Sequence, residues 1–319
     1  MTLLNFDENP SKTILMFGAA NLDIVAKSDD LPQARGISIS SEIRTGYGGV
    51  ARNVAENLAR LGESVTLVTS VGGDGIGEQL LEYTAISGVD TTACNVEQGM
   101  RTASYMAIYS RVGELQYAFE DMDVVSALTS AYIKNHQILF DKAKLIFIDA
   151  NLPATTIKTI FSLARKAKVP VCADATSMIL AAKLTNYIDR MYLLTANTKE
   201  AALLSGKEEL KIDQYIAMES ARYLINSGAQ ICVIPMAEFG VSYATSQTSG
   251  SIPAMRTQIT DPTGAGDALT ATVIYGLVNN ISLDDSIRLG VTAASLTLRH
   301  PGTVYPALTL ESLYDELVF

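Results

Sequence analysis

Short apolar runs alternate with helical periodicities through most of this chain. The runs at 14–20, 65–71, 145–150, 169–174, 191–195 and 230–235 have strand length and few polar interruptions. Between them apolar positions recur every three or four residues, as at Val50, Val54, Leu58 and Leu61. That spacing predicts helices over 50–61, 76–87, 154–168, 199–205 and 213–227, with a last one over 310–317. Strands that are apolar throughout must be covered on both faces. The alternation therefore predicts an α/β fold, a mostly parallel sheet between two layers of helices. Ligands of such sheets bind beyond the carboxyl ends of the strands. Asn21, Asp23, Asp149, Asn151, Asp174, Asn197 and Glu200 fall at or just beyond those ends.

Two stretches break the rhythm. Residues 37–44 alternate, with Ile37, Ile39 and Ile43 separated by polar positions. Residues 102–120 read as two strands, 103–110 and 115–120, joined by a turn that contains Gly113. Together they predict a small β-sheet with one wet face, projecting as a lid near the ligand edge. On this reading the core of a single unit takes residues 12–26, 47–95 and 122–319, and the lid takes 27–46 and 96–121. No internal repeat or low-complexity linker interrupts it.

Composition narrows the classes. The 319 residues carry a formal net charge of −10 with no compensating basic cluster. Affinity for a nucleic-acid backbone rests on Lys and Arg, so that partner is not expected. No apolar run approaches the roughly 20 residues that cross a bilayer, which also argues against a membrane protein. Residues 1–11 lack the basic start and apolar stretch of a secretory signal. Cys94, Cys172 and Cys232 are few and far apart, as expected of reduced thiols in a cytoplasmic protein. With only His136 and His300, a histidine metal centre or a Ser-His-Asp triad has little to draw on.

The richest local signal is Asp261-Pro262-Thr263-Gly264-Ala265-Gly266-Asp267-Ala268, which runs into a helix with Ala265, Leu269, Val273 and Leu277 along one face. Small residues at a helix start leave N–H groups free to converge on an anion, phosphate above all. Asp267 is out of place beside an anion if it only binds. It suits a base that takes a proton from an attacking hydroxyl. The competing reading is an ordinary turn followed by a first-turn Asp.

Three other segments bear on chemistry. Gly46-Tyr47-Gly48-Gly49-Val50-Ala51 fits the dinucleotide pattern G-x-G-x-x-A, but it does not follow the first strand, and no acid ends the next one. It reads better as a substrate floor, with Gly48 and Gly49 allowing close approach and Asn53 in the first turn of the helix. Asn21, Asp23 and Asn53 together offer donors and acceptors for the vicinal hydroxyls of a sugar. Asn197-Thr198-Lys199-Glu200 opens another helix. It reads either as a cap with a favourable first-turn carboxylate or as a Mg²⁺ site, and the two are compatible.

These motifs resemble the PfkB, or ribokinase-like, carbohydrate kinases. Gly48-Gly49-Val50-Ala51-Arg52-Asn53 is similar to the family's N-terminal signature, the stretch from Asp261 to Asp267 to its C-terminal one, and Asn197–Glu200 to the N-x-x-E motif between them. The resemblance spans nearly the whole chain. Within the family, Gly18 to Asp23, Thr102-Ala103-Ser104-Tyr105, Glu120 to Asp123 and Asp149-Ala150-Asn151 are most similar to the pseudouridine kinases. The resemblance implies a ribokinase-like three-layer core with a β lid. It also implies an ATP- and Mg²⁺-dependent transfer of phosphate to the 5′-hydroxyl of pseudouridine or a related nucleoside. Asp267 would be the base, and Gly264, Ala265 and Gly266 would stabilise the transferred phosphate. Asn197 and Glu200 would hold Mg²⁺, largely through water, and Asp261 with Thr263 resembles part of a monovalent-cation (K⁺) site. Asp23, Gly48, Gly49 and Asn53 would hold the ribose. Asn21, Thr102, Tyr105 and Asn151 would complete the acceptor site, and Thr263 and Gly240 would border the nucleotide. Pairing of lids in a homodimer is a further expectation.

Two departures from the family stand out. Ala237 and Phe239 occupy Met236-Ala237-Glu238-Phe239-Gly240, where a Gly-rich turn is usual, and Thr195-Ala196 replaces a common Lys-Pro. A kinase of a simple sugar or sugar acid, and a non-catalytic nucleoside- or sugar-binding protein on the same fold, are the alternatives. The crowding that Ala237 and Phe239 threaten at the phosphates is the support for the last.

Overall fold

A computed structural model describes residues 4, 6, 12–28, 38, 40–110, 115–207 and 213–317. The expected alternation at Ile37 and Ile39, the turn at 111–114 and most of residues 1–11 lie outside them. Eight strands form the main sheet, in the order Ser249–Ile252, Val241–Thr245, Ile231–Pro235, Leu193–Thr195, Val171–Asp174, Ala143–Asp149, Thr13–Phe17 and Val65–Val68. The six strands from Ile231–Pro235 to Val65–Val68 are parallel. The other two join as an antiparallel edge.

The three layers follow from the period of two along each strand. Ile14 and Met16 enter one apolar cluster, Leu15 and Phe17 the other. The first cluster is closed by helices Val50–Arg60, Ala265–Val278 and Leu283–Leu298. The second is closed by Ala154–Ala167, Thr198–Leu204 and Gln214–Asn226. Each fully buried Leu or Ile contributes about 1.5–3 kcal/mol, so these two layers dominate stability. Helix Val50–Arg60 shows the expected stripe, with Ala51, Val54, Ala55 and Leu58 buried. It also buries Arg52, Asn53, Glu56 and Asn57, which no packing argument asks for.

A separate four-stranded sheet has the order Glu42–Gly48, Asn21–Ser28, Ser104–Ser110 and Leu115–Asp121. It contains the hairpin expected from residues 103–120. Two apolar runs that the sequence pattern read as single core strands also divide, one into this sheet and one into a separate two-stranded sheet. The apolar run at 14–20 ends as a strand at Phe17, and the chain resumes at Asn21 in the small sheet rather than staying in the core. The run at 65–71 likewise divides, its second part Ser70–Gly72 pairing with Asn95–Glu97. Run length alone cannot mark where a strand changes sheets. The antiparallel edge and helix Leu283–Leu298 were not anticipated.

Candidate active site

Gly264 sets the geometry at the end of helix Ala265–Val278. Its φ of 80° is left-handed, and a Cβ there would lie 1.9 Å from the Thr303 carbonyl oxygen. No side chain caps this helix. Its first turn, through Ala265 and Gly266, lines a mainly apolar cavity of about 470 Å³ that Gly240, Met255, Leu269 and Leu298 also line. Free N–H groups and the positive end of the dipole are thus presented to a space that can hold a ligand. Asp267 stands in the same turn, and its Oδ2 accepts from Asn53 Nδ2 at 2.7 Å. Two motifs separated by more than two hundred residues meet in that hydrogen bond.

The floor is built from the small sheet and helix Val50–Arg60. Asn21 Nδ2 donates to Asp23 Oδ1 at 2.6 Å, and both side chains are buried. A Cβ on Gly48 would lie 2.1 Å from Asp23 Oδ2, so the glycine makes room for the carboxylate. Tyr105 is opposite Asp23 on the neighbouring strand and shares its face of the sheet. Gly49 begins helix Val50–Arg60. Thr102, by contrast, is taken up structurally. Its hydroxyl donates to Asp74 Oδ1 at 2.6 Å and accepts from the Gly72 N–H, and its own N–H donates to Asp74 Oδ2. Asn151 is only half-buried, and its N–H donates to Asp149 Oδ1 at 2.9 Å.

Asn197 and Glu200 form a complete capping box. The Asn197 side chain accepts from the Lys199 and Glu200 N–H groups, and Glu200 accepts from the Asn197 N–H at 2.8 Å and from Nδ2 at 2.6 Å. Asp261 is also held by backbone, from Thr263 and Gly302. Thr263, between Asp261 and Gly264, is half-buried at the mouth of the cradle.

Burial raises several of these carboxyls. Glu200 is pushed up to about 7 by desolvation and the nearby Asp174, against its bonds from Asn197. Asp174 and Asp23 are each pushed up to about 6, again chiefly by desolvation. Asp267 is raised well above the carboxylate range by burial, with Asp174 and Asp23 adding to the effect and Asn53 and Arg52 opposing it. It still keeps access to solvent from the cleft. A carboxylate whose proton affinity is raised in this way is a stronger base toward a hydroxyl brought against it.

Four residues to which the sequence assigns no site role contribute to the site, although it places Asp149 and Asp174 at its edge. Asp149, wholly buried, accepts from the Ala19 and Ala51 N–H groups at 2.8 and 3.1 Å and so ties the floor together. Asp174 acts on both Glu200 and Asp267, and its place at a strand end was its only signal. Arg52 and Thr303 surround Asn53 and Gly264, and Arg52 lay inside a recognised motif. The feared crowding at Ala237 and Phe239 takes a different form. Phe239 is 53% exposed and turned away from the cavity lining, while Ala237 bears a left-handed φ of 51°.

The architecture is that of ribokinase. The structure of Arabidopsis thaliana ribokinase complexed with ribose and ATP matches with a TM-score of 0.84, over 97% of this chain and 99% of that chain, at 21% identity. A carbohydrate kinase from Agrobacterium tumefaciens matches with a TM-score of 0.81 at 27% identity, over 96% of this chain and 97% of that one. Residues 11–310 match the model of the pfkB family carbohydrate kinases, and the chain belongs to that family. It is 31% identical to the pseudouridine kinase of Escherichia coli (strain K12) over 94% of this chain and 95% of that protein. It is 26% identical to the ribokinase of Bacillus subtilis (strain 168) over 90% and 93%. The protein is thus a carbohydrate or nucleoside kinase. Among the described residues no helix is long and apolar enough to cross a membrane.

Proposed function

We propose that the protein transfers the γ-phosphate of ATP to the 5′-hydroxyl of pseudouridine or a closely related nucleoside. The observation that carries this reading is the Asn53–Asp267 hydrogen bond at the uncapped start of helix Ala265–Val278. It supports the reading because the amide proposed to hold the sugar, the proposed base and the proposed anion site would lie together. Asp267 takes the hydroxyl proton, and the freed oxygen attacks the γ-phosphorus as the bond to ADP breaks. The N–H groups of Ala265 and Gly266, presented by Gly264, stabilise the charge on the transferred group. Asp23, Gly48, Gly49 and Asn53 hold the ribose hydroxyls. Asn21, Tyr105 and Asn151 border the base, and Thr102 braces the lid that carries Tyr105. The apolar cavity beside Gly240 fits a purine ring in size and lining.

Among the described residues no three His, Cys, Asp or Glu side chains gather as a metal cage. A Mg²⁺ ion fits this donor set only through one or two carboxylates, with water and phosphate oxygens supplying the rest. Glu200, and Asn197 beside it, would hold it. When bound it would neutralise the phosphates.

The nucleoside preference rests on the relative that shares 31% identity, named a pseudouridine kinase. ATP consumption with Mg²⁺ should be measured against pseudouridine, uridine, adenosine, ribose and fructose, with Asp267→Asn as control. The expected result is turnover on pseudouridine that falls by about 10²–10⁴-fold in the variant. Turnover on ribose or fructose instead would replace the acceptor, and an active Asp267→Asn would remove the base. A homodimer through the small sheet fits the same reading, because Ile43 and Phe119 on its outer face are 63% and 60% exposed. A monomeric mass in sedimentation would remove that element.

A further inference from the structure

Arg52 is the largest fully buried side chain among the described residues. Taking a guanidinium out of water costs several kcal/mol unless its donors are all met. Here they are. Nε donates to the Gly48 carbonyl at 3.1 Å and Nη1 to Glu56 Oε2 at 2.5 Å. Nη2 donates to the Tyr47 carbonyl at 2.8 Å, to Thr303 Oγ1 at 3.1 Å and to Asn53 Oδ1. Glu56 is itself completely buried and accepts from Arg60 through its other oxygen at 2.6 Å.

The contact with Asn53 has the largest consequence. A guanidinium has donors and no acceptor, so the atom of the Asn53 amide that faces it must be the oxygen. The amide nitrogen is thereby turned to the opposite side, where it donates to Asp267 Oδ2. Thr303 fixes the arrangement from behind. Its hydroxyl donates to the Tyr47 carbonyl at 2.7 Å while accepting from Arg52, and its carbonyl packs against Gly264. We propose that Arg52 is a positioning residue that holds the Asn53 amide in the one orientation that donates to Asp267. With Thr303 it locks the substrate floor to the phosphate cradle.

The proposal rests on the reading of Asp267 as the base. Without Arg52 the Asn53 amide is free to turn its oxygen toward Asp267, an arrangement that a carboxylate repels and only a protonated carboxyl accepts. The other groups acting on Asp267 already favour protonation: Asp23 from the small sheet and Asp174 from the end of a core strand. Only Asn53 and Arg52, both on helix Val50–Arg60, oppose them.

Carbon NMR of protein labelled at its aspartate carboxyls tests this with no substrate present, the Asp267 signal being assigned by its loss in Asp267→Asn. Arg52→Lys keeps a charge facing Glu56 but cannot reach Asn53, Tyr47 and Gly48 together. In that variant the Asp267 midpoint should rise by about one pH unit. The acid limb of kcat should move with it, and kcat should fall more than acceptor KM rises. In an Asn53→Ala background Arg52→Lys should add no further shift. An unmoved midpoint in folded Arg52→Lys, or equal shifts in both backgrounds, overturns the proposal. If Arg52→Lys does not fold, Thr303→Val leaves the Arg52–Glu56 pair intact and should give a smaller shift of the same sign; no shift there is equally fatal. Full turnover in Asp267→Asn would defeat the base assignment instead, and the NMR result would stand apart from it.

Discussion

Helices Ala265–Val278 and Thr198–Leu204 both open at the ligand edge of the core, and their first turns are finished in opposite ways. The first starts at a left-handed glycine with no side-chain cap and faces a cavity. The second starts with a closed capping box in which Asn197 and Glu200 satisfy one another. An uncapped end leaves polar N–H groups to be met from outside the chain, so it is poised for an anionic ligand. A closed box needs nothing further for stability. Glu200 therefore has a structural occupation before any metal is considered, whereas the N–H groups of Ala265 and Gly266 are not taken up by a side-chain cap.

Breaking the open end should have the larger effect. Gly264→Ala places a methyl group against the Thr303 carbonyl at 1.9 Å and imposes a left-handed φ that costs an Ala about 1–2 kcal/mol. Turnover should fall by about 10²-fold or more while acceptor binding holds within a few-fold. Steady-state kinetics and acceptor titration read the two, and near-normal turnover would mean that the open end is not where phosphate is stabilised.

The closed end gives a subtler signal, in the pH dependence of stability. A carboxyl whose folded pKa lies above its unfolded value binds its proton more tightly in the native state. Glu200 rises from an ordinary 4.5 to about 7, so its contribution is most favourable below pH 4.5 and is lost as the pH climbs through 7. Asp23 and Asp174 act with the same sign up to about 6. The free protein should thus melt lower at pH 7.5 than at pH 5, and Glu200→Gln should flatten that slope. Thermal unfolding with and without Mg²⁺ checks both points. An unaltered slope would mean that Glu200 is not strained, and an unaltered Mg²⁺ requirement for turnover would leave it a cap alone.

The smallest effect is expected at the cavity wall. Ala237→Gly should relieve the left-handed strain at φ 51° and raise stability by about 1 kcal/mol. Chemical denaturation reads this, and a loss of stability would show that the methyl group's packing in the wall outweighs the strain.

Much of this was legible from the chain. Helices Val50–Arg60 and Ala154–Ala167 end within a residue of expectation, because an amphipathic face and its boundary residues are local properties. The open helix start was legible for the same reason, since its small residues lie side by side. Thr195 marks where legibility ended. The family resemblance drew attention to Thr195, but not to its hydroxyl, which bonds Asp174 at 2.9 Å; among the described residues no cation acts on that carboxyl.

Local patterning by itself determined the layered α/β core and picked out the glycine-rich helix start and Asp267 as candidates, because period, small residues and helix ends act over a few neighbouring positions. Only the tertiary structure decided that the chain leaves the core at Asn21, that Thr102 is spent on Asp74, and that Arg52 reaches Thr303 across 251 positions to orient Asn53. Those outcomes depend on which distant donors and acceptors are buried together. A buried polar group must find its partner wherever the fold has brought one.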